Sequence, residues 1–275
     1  EIRLSLVGSE MCIRDSYKSR GPQYVRGIQE GNGVPKDSDM WVSYSMNKED
    51  IWVAHVPVPV KTVATAHADD DFAQYQKLGD LKTWNIYSPL MAPVSLRQEW
   101  LELKDEDPFD YACVERKIPA SSYLKASFDV QAAQTRNGSL QIEFLDEKGI
   151  ACTRIELNKE GMIRVKNGAR YGNVMPYQAD QTYRFEATLD TQHRQLNLTV
   201  STLDAEGKAL QSKSTKRIFY APVHQIERIR FRTGDLRTFP TIDTPADWFG
   251  TLEHAGDTDT TALYRIAHFK TVSLD

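Results

Sequence analysis

The segment LKASFDV, residues 124–130, decides the class of fold. Apolar side chains occupy every second position in it and polar side chains lie between them, which is the period of a β-strand that buries one face. The segment LQIEF repeats the pattern, with Leu140, Ile142 and Phe144 on the apolar side. Both segments therefore predict strands that pack one face against a second layer.

Turn sequences that end in glycine separate the strands. They are DEKG at 146–149, NKEG at 158–161, NG at 167–168 and DAEG at 204–207, and each places glycine where the backbone needs a positive φ. Further strands are predicted for CTRIEL, MIRVK, YRFEATL, QLNLTVSTL, ERIRFRT and YRIAHFKTV. Since no segment keeps a helical period over about ten residues, we predict an all-β chain whose residues 85–275 form an antiparallel β-sandwich.

Composition and charge narrow the possible partners. The chain has 275 residues, with 34 Lys or Arg against 38 Asp or Glu, and a formal net charge of -4. This balance provides no basic field for a phosphate backbone, so we expect no nucleic-acid partner. No apolar run reaches the roughly 18 residues that a membrane-spanning helix needs, so we expect no membrane span. The hydrophobic fraction of 40% is typical of a globular chain with a large core.

The opening segment EIRLSLVGSEMCIRDS, residues 1–16, is set apart from the fold. It has no clean period, no helix cap and no cationic-then-apolar layout of a signal peptide. Its last residues, MCIRDS, resemble the translated sequence of a transposase adapter used in shotgun sequencing libraries. We therefore interpret the chain as read from a metagenomic contig and truncated at its N-terminus, with any signal peptide lost.

Residues 17–60 are predicted to form a small β unit. The runs MWVSY and IWVAHVPVPV are rich in Val, Trp, Tyr and Ile, and the polar SMNKED between them is a turn, so they form an antiparallel hairpin. We interpret the preceding YVRGIQEGNG as a glycine-rich loop. Pro57 and Pro59 end the second strand. Residues 61–84, with the acidic run HADDDFAQ, are predicted to be a linker with solvated charges.

The segments YVRGIQEGNG and DMWVSYSMNKEDIWVAHVPVPV resemble the closing part of a sialidase-like (BNR-repeat) β-propeller. Downstream, WLELKDEDPFDYACVERKIP, ERIRFRTGDLR and ALYRIAHFKTV are similar to the concanavalin-like or laminin-G-like sandwich, a jelly roll, that follows such propellers. The resemblance implies a secreted or periplasmic bacterial protein that degrades polysaccharide as a glycoside hydrolase or lyase, with the sandwich binding or positioning glycan. Since only about half a propeller blade is present, we expect no turnover from this chain alone.

Several residues of the N-terminal unit are candidates for contact with a sugar. They are Tyr24, Arg26, Glu30, Asn32, Tyr44 and Asn47. An arginine fork suits the carboxylate or sulfate of an acidic sugar, so in the parent protein Arg26 would hold that group and Glu30 would act as acid and base. The alternatives are that Arg26 and Glu30 pair within their loop and that Asn47 belongs to a solvated turn.

The segment ERIRFRT places Arg228, Arg230 and Arg232 on one face of a strand. Two interpretations of this stripe stay open. An exposed row of arginines would bind an acidic polysaccharide, whereas a paired row would face acidic residues on neighbouring strands. The carboxylates available for pairing are Glu143, Glu156 and Glu186.

The remaining candidates lie in loops of the sandwich. Trp248 is either a platform for a sugar ring or a plug over one end of the sandwich. Asp105 and Asp107 would share a structural calcium ion with Asp257 and Asp259 if the first and last strands of the sandwich are neighbours. The alternative is an acidic, solvated surface, and no other cofactor is expected.

Two further functions remain open for the sandwich. One is a structural or adhesion domain without sugar specificity. The other is a glucanase-like enzyme, which needs two carboxyl groups about 5–10 Å apart on one concave face, and the alternation gives no evident pair of that kind. Cys113 and Cys152 either form one disulfide or remain buried thiols.

Overall fold

The computed structural model describes residues 22–28, 40–46, 50–56, 64–107, 111–234 and 261–275. The chain divides into two compact units, one of Glu1–Thr62 with Arg237–Gly256 and one of Val63–Leu236 with Asp257–Asp275. Strands in antiparallel sheets are the main secondary structure of the described residues. The predicted all-β class, with a jelly-roll sandwich, is confirmed.

The first unit contains a three-stranded sheet in the order β1-β2-β3. Its strands are β1 (Pro22–Ile28), β2 (Met40–Met46) and β3 (Asp50–Val56). The predicted hairpin corresponds to β2 and β3, in which Tyr44 lies opposite Trp52.

The segment that we interpreted as a loop is partly a strand. Tyr24 and Arg26 lie on β1, which pairs with β2 and has an irregular register between Gln23 and Arg26. The loop interpretation was wrong for these residues because Tyr24 and Val25 favour extended backbone once a neighbouring strand offers hydrogen bonds.

The second unit is the sandwich, and its strands are numbered here in chain order. They are β4 (Asp69–Asp70), β5 (Trp84–Tyr87), β6 (Val94–Arg97), β7 (Trp100–Asp105), β8 (Cys113–Ser121), β9 (Tyr123–Ala132), β10 (Leu140–Leu145), β11 (Ala151–Leu157), β12 (Met162–Asn167), β13 (Arg170–Pro176), β14 (Thr182–Asp190), β15 (Gln195–Leu203), β16 (Ala209–Ile218), β17 (Ile226–Thr233) and β18 (Ala262–Ser273). One sheet, called the front sheet, has the order β13-β12-β11-β10-β17-β8-β5. The other, called the back sheet, has the order β16-β15-β14-β9-β18-β7-β6, with β4 paired to β18.

The tight turns have the predicted chemistry. Gly149, Gly161, Gly168 and Gly207 all have positive φ, between 58° and 83°. In the first of these turns Asp146 Oδ1 accepts hydrogen bonds from the backbone N–H groups two and four residues later, at 2.9 and 2.8 Å. Such a side chain replaces backbone partners that the turn leaves unused, which fixes the register of the strands on either side.

Aromatic rings from both sheets meet in the core. Phe231 of the front sheet packs edge-on against Phe128 of the back sheet, with ring centroids 5.1 Å apart. Trp84 of the front sheet contacts Phe269 of the back sheet at the same distance. These edge-to-face contacts hold the two sheets face to face and leave the opposite face of each sheet outside the core.

Residues 64–84 differ from the predicted linker. Phe72 is fully buried and its ring packs on Trp84, with centroids 5.6 Å apart. Asp69–Asp70 pairs with β18, and two short 3-10 helices, Phe72–Gln74 and Leu78–Asp80, follow. The segment is part of the sandwich because its apolar side chains complete the core. Its acidic composition favoured the linker interpretation, since charged runs are usually solvated.

One acidic residue of this segment is buried with a partner. The side chains of Asp70 and Arg116 are 7% and 5% exposed, and Arg116 Nε donates to Asp70 Oδ2 at 2.7 Å. Trp84 Nε1 donates to the same oxygen at 2.9 Å. The prediction of solvated charge holds for Asp69, which is exposed, but not for Asp70.

Cys113 and Cys152 are free thiols. Burial raises the pKa of Cys113 to about 12 and raises that of Cys152 as well, so both remain protonated near neutral pH and are poor nucleophiles. Of the two alternatives for these residues, the structure has the unpaired thiols. In the part of the chain that the structure describes, no helix has the length and apolar character needed to cross a membrane.

Candidate functional site

Some of the predicted site residues lie in the described part of the chain and others do not. Tyr44 lies on β2 with a half-buried side chain, and Tyr24 and Arg26 lie on β1. The arginine stripe lies on β17. The predicted residues outside the described part of the chain are Glu30, Asn32, Asn47, Trp248, Asp257 and Asp259.

The outer face of the front sheet carries the arginine stripe. Strand alternation turns the apolar side chains of β8, β10, β11, β12 and β17 into the core and, apart from the buried Arg116 of β8, the charged ones outward. This surface is called the arginine face. It is defined by Cys113, Glu115, Gln141, Glu143, Arg154, Glu156, Arg164, Lys166, Arg228, Arg230 and Arg232.

Strand register arranges one row of the arginine face with alternating charge. Glu115 on β8 lies opposite Arg230 on β17, Arg230 lies opposite Glu143 on β10, and Glu143 lies opposite Arg154 on β11. Opposite charges on directly facing residues attract across the sheet. The row therefore neutralises most of its own charge.

Glu143 is the centre of this row. Its side chain is 1% exposed, and its two oxygens accept from Arg154 Nη2 and Arg230 Nη2, both at 2.6 Å. Burial by itself would raise the pKa of Glu143, but the two guanidinium groups outweigh burial and lower it below the ordinary value. Of the predicted pairings, the one between the stripe and Glu143 is present.

We expect this cluster to make stability depend on acid. The folded chain keeps Glu143 ionised to a lower pH than the unfolded chain does, whose pKa is about 4.3. The stabilisation is therefore complete above that pH and is lost as the pH falls through the lowered native value. Thermal unfolding of the wild type and of Glu143→Gln between pH 7 and pH 3 measures it: the gap in melting temperature should shrink in acid, and a constant gap would contradict the prediction.

A second row of the same face is not balanced in this way. Arg232 on β17 lies opposite Gln141 on β10 and Cys113 on β8, and neither of these is charged near neutral pH. Within the described residues, no carboxylate forms an ion pair with Arg232. Its guanidinium instead lies over the ring of Tyr111, 3.8 Å from the centroid.

The opposite end of the arginine face combines cations with two tyrosines. Arg164 lies over the Tyr171 ring at 4.4 Å, and Lys166 Nζ lies 4.7 Å from that ring and 5.5 Å from Tyr220. Arg154 donates to the hydroxyl groups of Tyr171 and Tyr220 at 3.5 and 3.4 Å. The pKa of Lys166 is lowered, mainly because the side chain is partly buried and secondly because the charge of Arg154 repels it. This end presents cations on aromatic rings.

The other two carboxylates predicted to pair with the arginine stripe, Glu156 and Glu186, have different partners. Glu156 pairs with Arg164 on β12 and accepts from Gln141 Nε2 at 2.9 Å. Glu186 lies on the back sheet, 3.8 Å from Lys125. Arg228 Nη1 reaches Glu115 Oε1 at 3.4 Å. These partners differ because the register of the two sheets, rather than proximity in sequence, sets which residues face each other.

The sequence patterns did not identify five of the eleven residues of the arginine face or the tyrosines beside it. The five residues are Glu115, Gln141, Arg154, Arg164 and Lys166, and the tyrosines are Tyr111, Tyr171 and Tyr220. A signal was present in MIRVK and CTRIEL, where charged side chains alternate with apolar ones as they do in ERIRFRT. This alternation does not identify the face, because the sequence of a single strand does not show which strands pair with it.

The candidate calcium residues are described in part. Asp105 is buried at the end of β7 and lies opposite Ala262 of β18. The strand that carries Asp105 and the last strand of the sandwich are therefore neighbours. Asp105 Oδ1 accepts from the backbone N–H of Asp107 at 3.1 Å. No three His, Cys, Asp or Glu side chains in the described ranges are grouped to hold a metal ion. The calcium site stays a prediction.

A shallow depression lies on the outer face of the back sheet. Its volume is about 430 Å³, and its lining includes Lys125, Glu186, Thr188, Asn197 and Lys216. No aromatic ring lines it, so it lacks the stacking surface that a sugar ring uses. The arginine face is therefore the stronger candidate site.

Two antiparallel sheets packed face to face, one of them with a charged outer face, define the chain as a β-sandwich protein with a polar candidate binding face. A family model described as "Sialidase-like, CBM domain" matches residues 84–248, which is more than half of the chain. The chain belongs to this family of sialidase-like carbohydrate-binding modules. No curated protein sequence matches it.

Solved structures agree with this assignment. A protein named "Sialidase" is 56% identical with a TM-score of 0.78, and the match covers 94% of this chain and 23% of that chain. The chain thus spans less than a quarter of that sialidase.

Two other solved structures are similar at the level of fold alone, each 13% identical. A GH131 β-glucanase catalytic domain from Podospora anserina has a TM-score of 0.50, with 77% of this chain and 97% of that chain covered. A structure described as "Prominent members of the human gut microbiota express endo-acting O-glycanases to initiate mucin breakdown" has a TM-score of 0.51, with 75% and 98% covered.

Proposed function

We propose that the arginine face binds an acidic polysaccharide and positions a glycan-degrading parent protein on it. One observation carries the proposal: cations outnumber carboxylates on this face, and tyrosine rings lie among them. The cations are Arg154, Arg164, Lys166, Arg228, Arg230 and Arg232, and the carboxylates are Glu115, Glu143 and Glu156. The family of carbohydrate-binding modules to which the chain belongs supports a glycan as the ligand.

The chemistry of the face suits such a ligand. Arginine presents paired, planar N–H donors that match carboxylate and sulfate oxygens. Tyrosine offers an apolar ring beside a polar hydroxyl, which fits a sugar ring that has both kinds of surface. Lys166 lies above two such rings and, within the described residues, has no ion-pair partner. Lys166 Nζ donates to the carbonyl oxygen of Ala169 at 3.2 Å.

Affinity electrophoresis of the full chain tests this proposal. The gels would contain acidic or neutral polysaccharides, with and without calcium. We expect retardation by acidic polysaccharide that weakens as salt is added, because added ions screen exposed charges. The variant Lys166→Ala should lose binding several-fold, since one exposed ionic contact is worth up to about 1 kcal/mol.

The matched control is Lys125→Ala, which removes the same side chain from the back sheet. It should bind like the wild type. Equal losses from both lysine variants would place the interaction elsewhere on the protein. Retention on no glycan at all would support the rival function, a structural or adhesion sandwich without sugar specificity.

For the parent protein we propose secretion or a periplasmic location, and an active site in a β-propeller. The antiparallel sheet β1-β2-β3 is compatible with part of a propeller blade, which has four strands. In that setting Arg26 would hold an acidic sugar and Glu30 would act as acid and base. The 56% identity to a protein named sialidase, of which the chain spans 23%, supports this reading.

A glucanase-like activity of the sandwich itself is less well supported. A general acid of glycoside hydrolysis needs a raised pKa so that it carries a proton near neutral pH. Glu143 is the most central carboxyl group of the arginine face, and its pKa is lowered because two arginines hold its ionised form. Glu143 therefore acts in structure and charge balance rather than as a proton donor.

A further inference from the structure

We infer that Arg232, Tyr111 and Tyr87 form the subsite that recognises an acidic group, carboxylate or sulfate, on the bound sugar. This inference rests on the proposed function, because it assigns a ligand class to one end of the arginine face. The three residues come from different segments: Arg232 lies on β17, Tyr87 ends β5, and Tyr111 precedes β8.

The first argument is charge. The other two arginines of the stripe each have a carboxylate that compensates their charge. Arg230 pairs with Glu143, and Arg228 pairs with Glu115. Arg232 instead faces Gln141 and Cys113. Among the described residues its charge has no carboxylate partner, so Arg232 is the cation of the stripe that is available to an anion.

The second argument is desolvation. Arg232 is half-buried, and its Nε has no hydrogen-bond partner among the described residues. Burial is the main cause that lowers its pKa. A guanidinium that has lost water without gaining a counter-charge is unfavourable. An anionic group bound beside Arg232 would supply the missing counter-charge. The binding free energy gained from such a contact is therefore larger at Arg232 than at an arginine that already has a carboxylate partner.

The third argument is the aromatic surface. The guanidinium carbon of Arg232 lies over the Tyr111 ring, 3.8 Å from its centroid, so a planar set of donors and an aromatic ring adjoin each other. Tyr111 and Tyr87 lie 5.4 Å apart between centroids, with planes inclined at 52°, and Tyr87 is 41% exposed. A ring surface beside a planar set of donors suits a sugar that carries an oxyanion group.

Matched pairs of glycans test the inference with the full chain. Sialylated mucin and the same mucin after desialylation differ in the carboxylate, and dextran sulfate and dextran differ in the sulfate. We expect the wild type to bind at least one acidic member more tightly than its neutral counterpart. Preference in only one of the two pairs identifies which oxyanion the subsite accepts.

The variant Arg232→Gln should reduce affinity for the preferred acidic glycan about ten-fold, or about 1.4 kcal/mol, and leave affinity for its neutral counterpart unchanged. The matched control Arg97→Gln removes the same charge from the back sheet, where the Arg97 side chain is 78% exposed, and should change affinity less than two-fold. Arg232→Gln also removes the contact of the guanidinium with the Tyr111 ring, so affinities are compared on protein that circular dichroism shows to be folded. A loss of affinity for the neutral counterpart as large as the loss for the acidic glycan would overturn the inference.

The results separate the inference from the proposed function. Equal binding of acidic and neutral members by the wild type would leave glycan binding in place and overturn the subsite. The subsite is also overturned if Arg232→Gln keeps the preference for the acidic glycan, or if Arg97→Gln loses that preference to the same extent. Binding to none of the four glycans would count against both proposals.

Discussion

Replacing Asp70 with alanine is expected to lower the free energy of unfolding by about 3–5 kcal/mol, the range for removing one partner of a buried ion pair. The remaining partner, Arg116, has a side chain that is 5% exposed, so its charge would stay in the core without compensation. Trp84 would also lose the acceptor for its Nε1 hydrogen bond. The cost is therefore larger than that of the lost contact alone.

Urea unfolding followed by tryptophan fluorescence measures the effect of Asp70→Ala. The neighbouring variant Asp69→Ala is the matched control. Asp69 is 74% exposed and pairs with Lys270 at 2.9 Å, also at the surface, so its removal should cost less than about 1 kcal/mol. Similar losses from both variants would show that Asp70 and Arg116 are hydrated in solution.

The variant Glu143→Gln is expected to lower the free energy of unfolding by about 3 kcal/mol, at the low end of the range for a broken buried pair. Glutamine preserves the size of the side chain, so the change isolates the charge. Arg154 and Arg230 would lose a shared counter-charge but reach solvent in part, which limits the cost. We also expect weaker glycan binding, because the two arginines would no longer be held in place on the face.

The control for this variant is Glu186→Gln on the back sheet. Glu186 pairs with Lys125 at 3.8 Å, and both side chains are about half exposed, so the expected loss is below about 1 kcal/mol. Chemical denaturation at pH 7 compares the two variants. A Glu143→Gln protein as stable as Glu186→Gln would contradict the structural role of the cluster.

The position of the turns and strands was readable from single segments. The alternation in LKASFDV and LQIEF corresponds to β9 and β10, and the glycines of DEKG and DAEG have the positive φ that the pattern predicted. Such features depend on a few consecutive residues, because side-chain alternation and turn geometry are local properties of the backbone. The family resemblance added what those local patterns lack, the link to carbohydrate.

Residues 64–84 show where local reading fails. Acidic side chains next to prolines suggested a linker, yet Phe72 and Asp70 are buried. A buried aspartate needs a partner for its charge, and the partner of Asp70 is Arg116, 46 residues away in sequence. No window of a few residues contains that information.

The all-β class, the turns and the shared face of Arg228, Arg230 and Arg232 follow from the order of residues along single strands. The neutralisation of Arg230 by Glu143 and the uncharged neighbours of Arg232, Gln141 and Cys113, are visible only once the strands are paired. The physical reason is that alternation along a strand is fixed by covalent geometry, while cross-strand partners depend on register and strand order. A charge becomes available to a ligand only through that second, non-local arrangement.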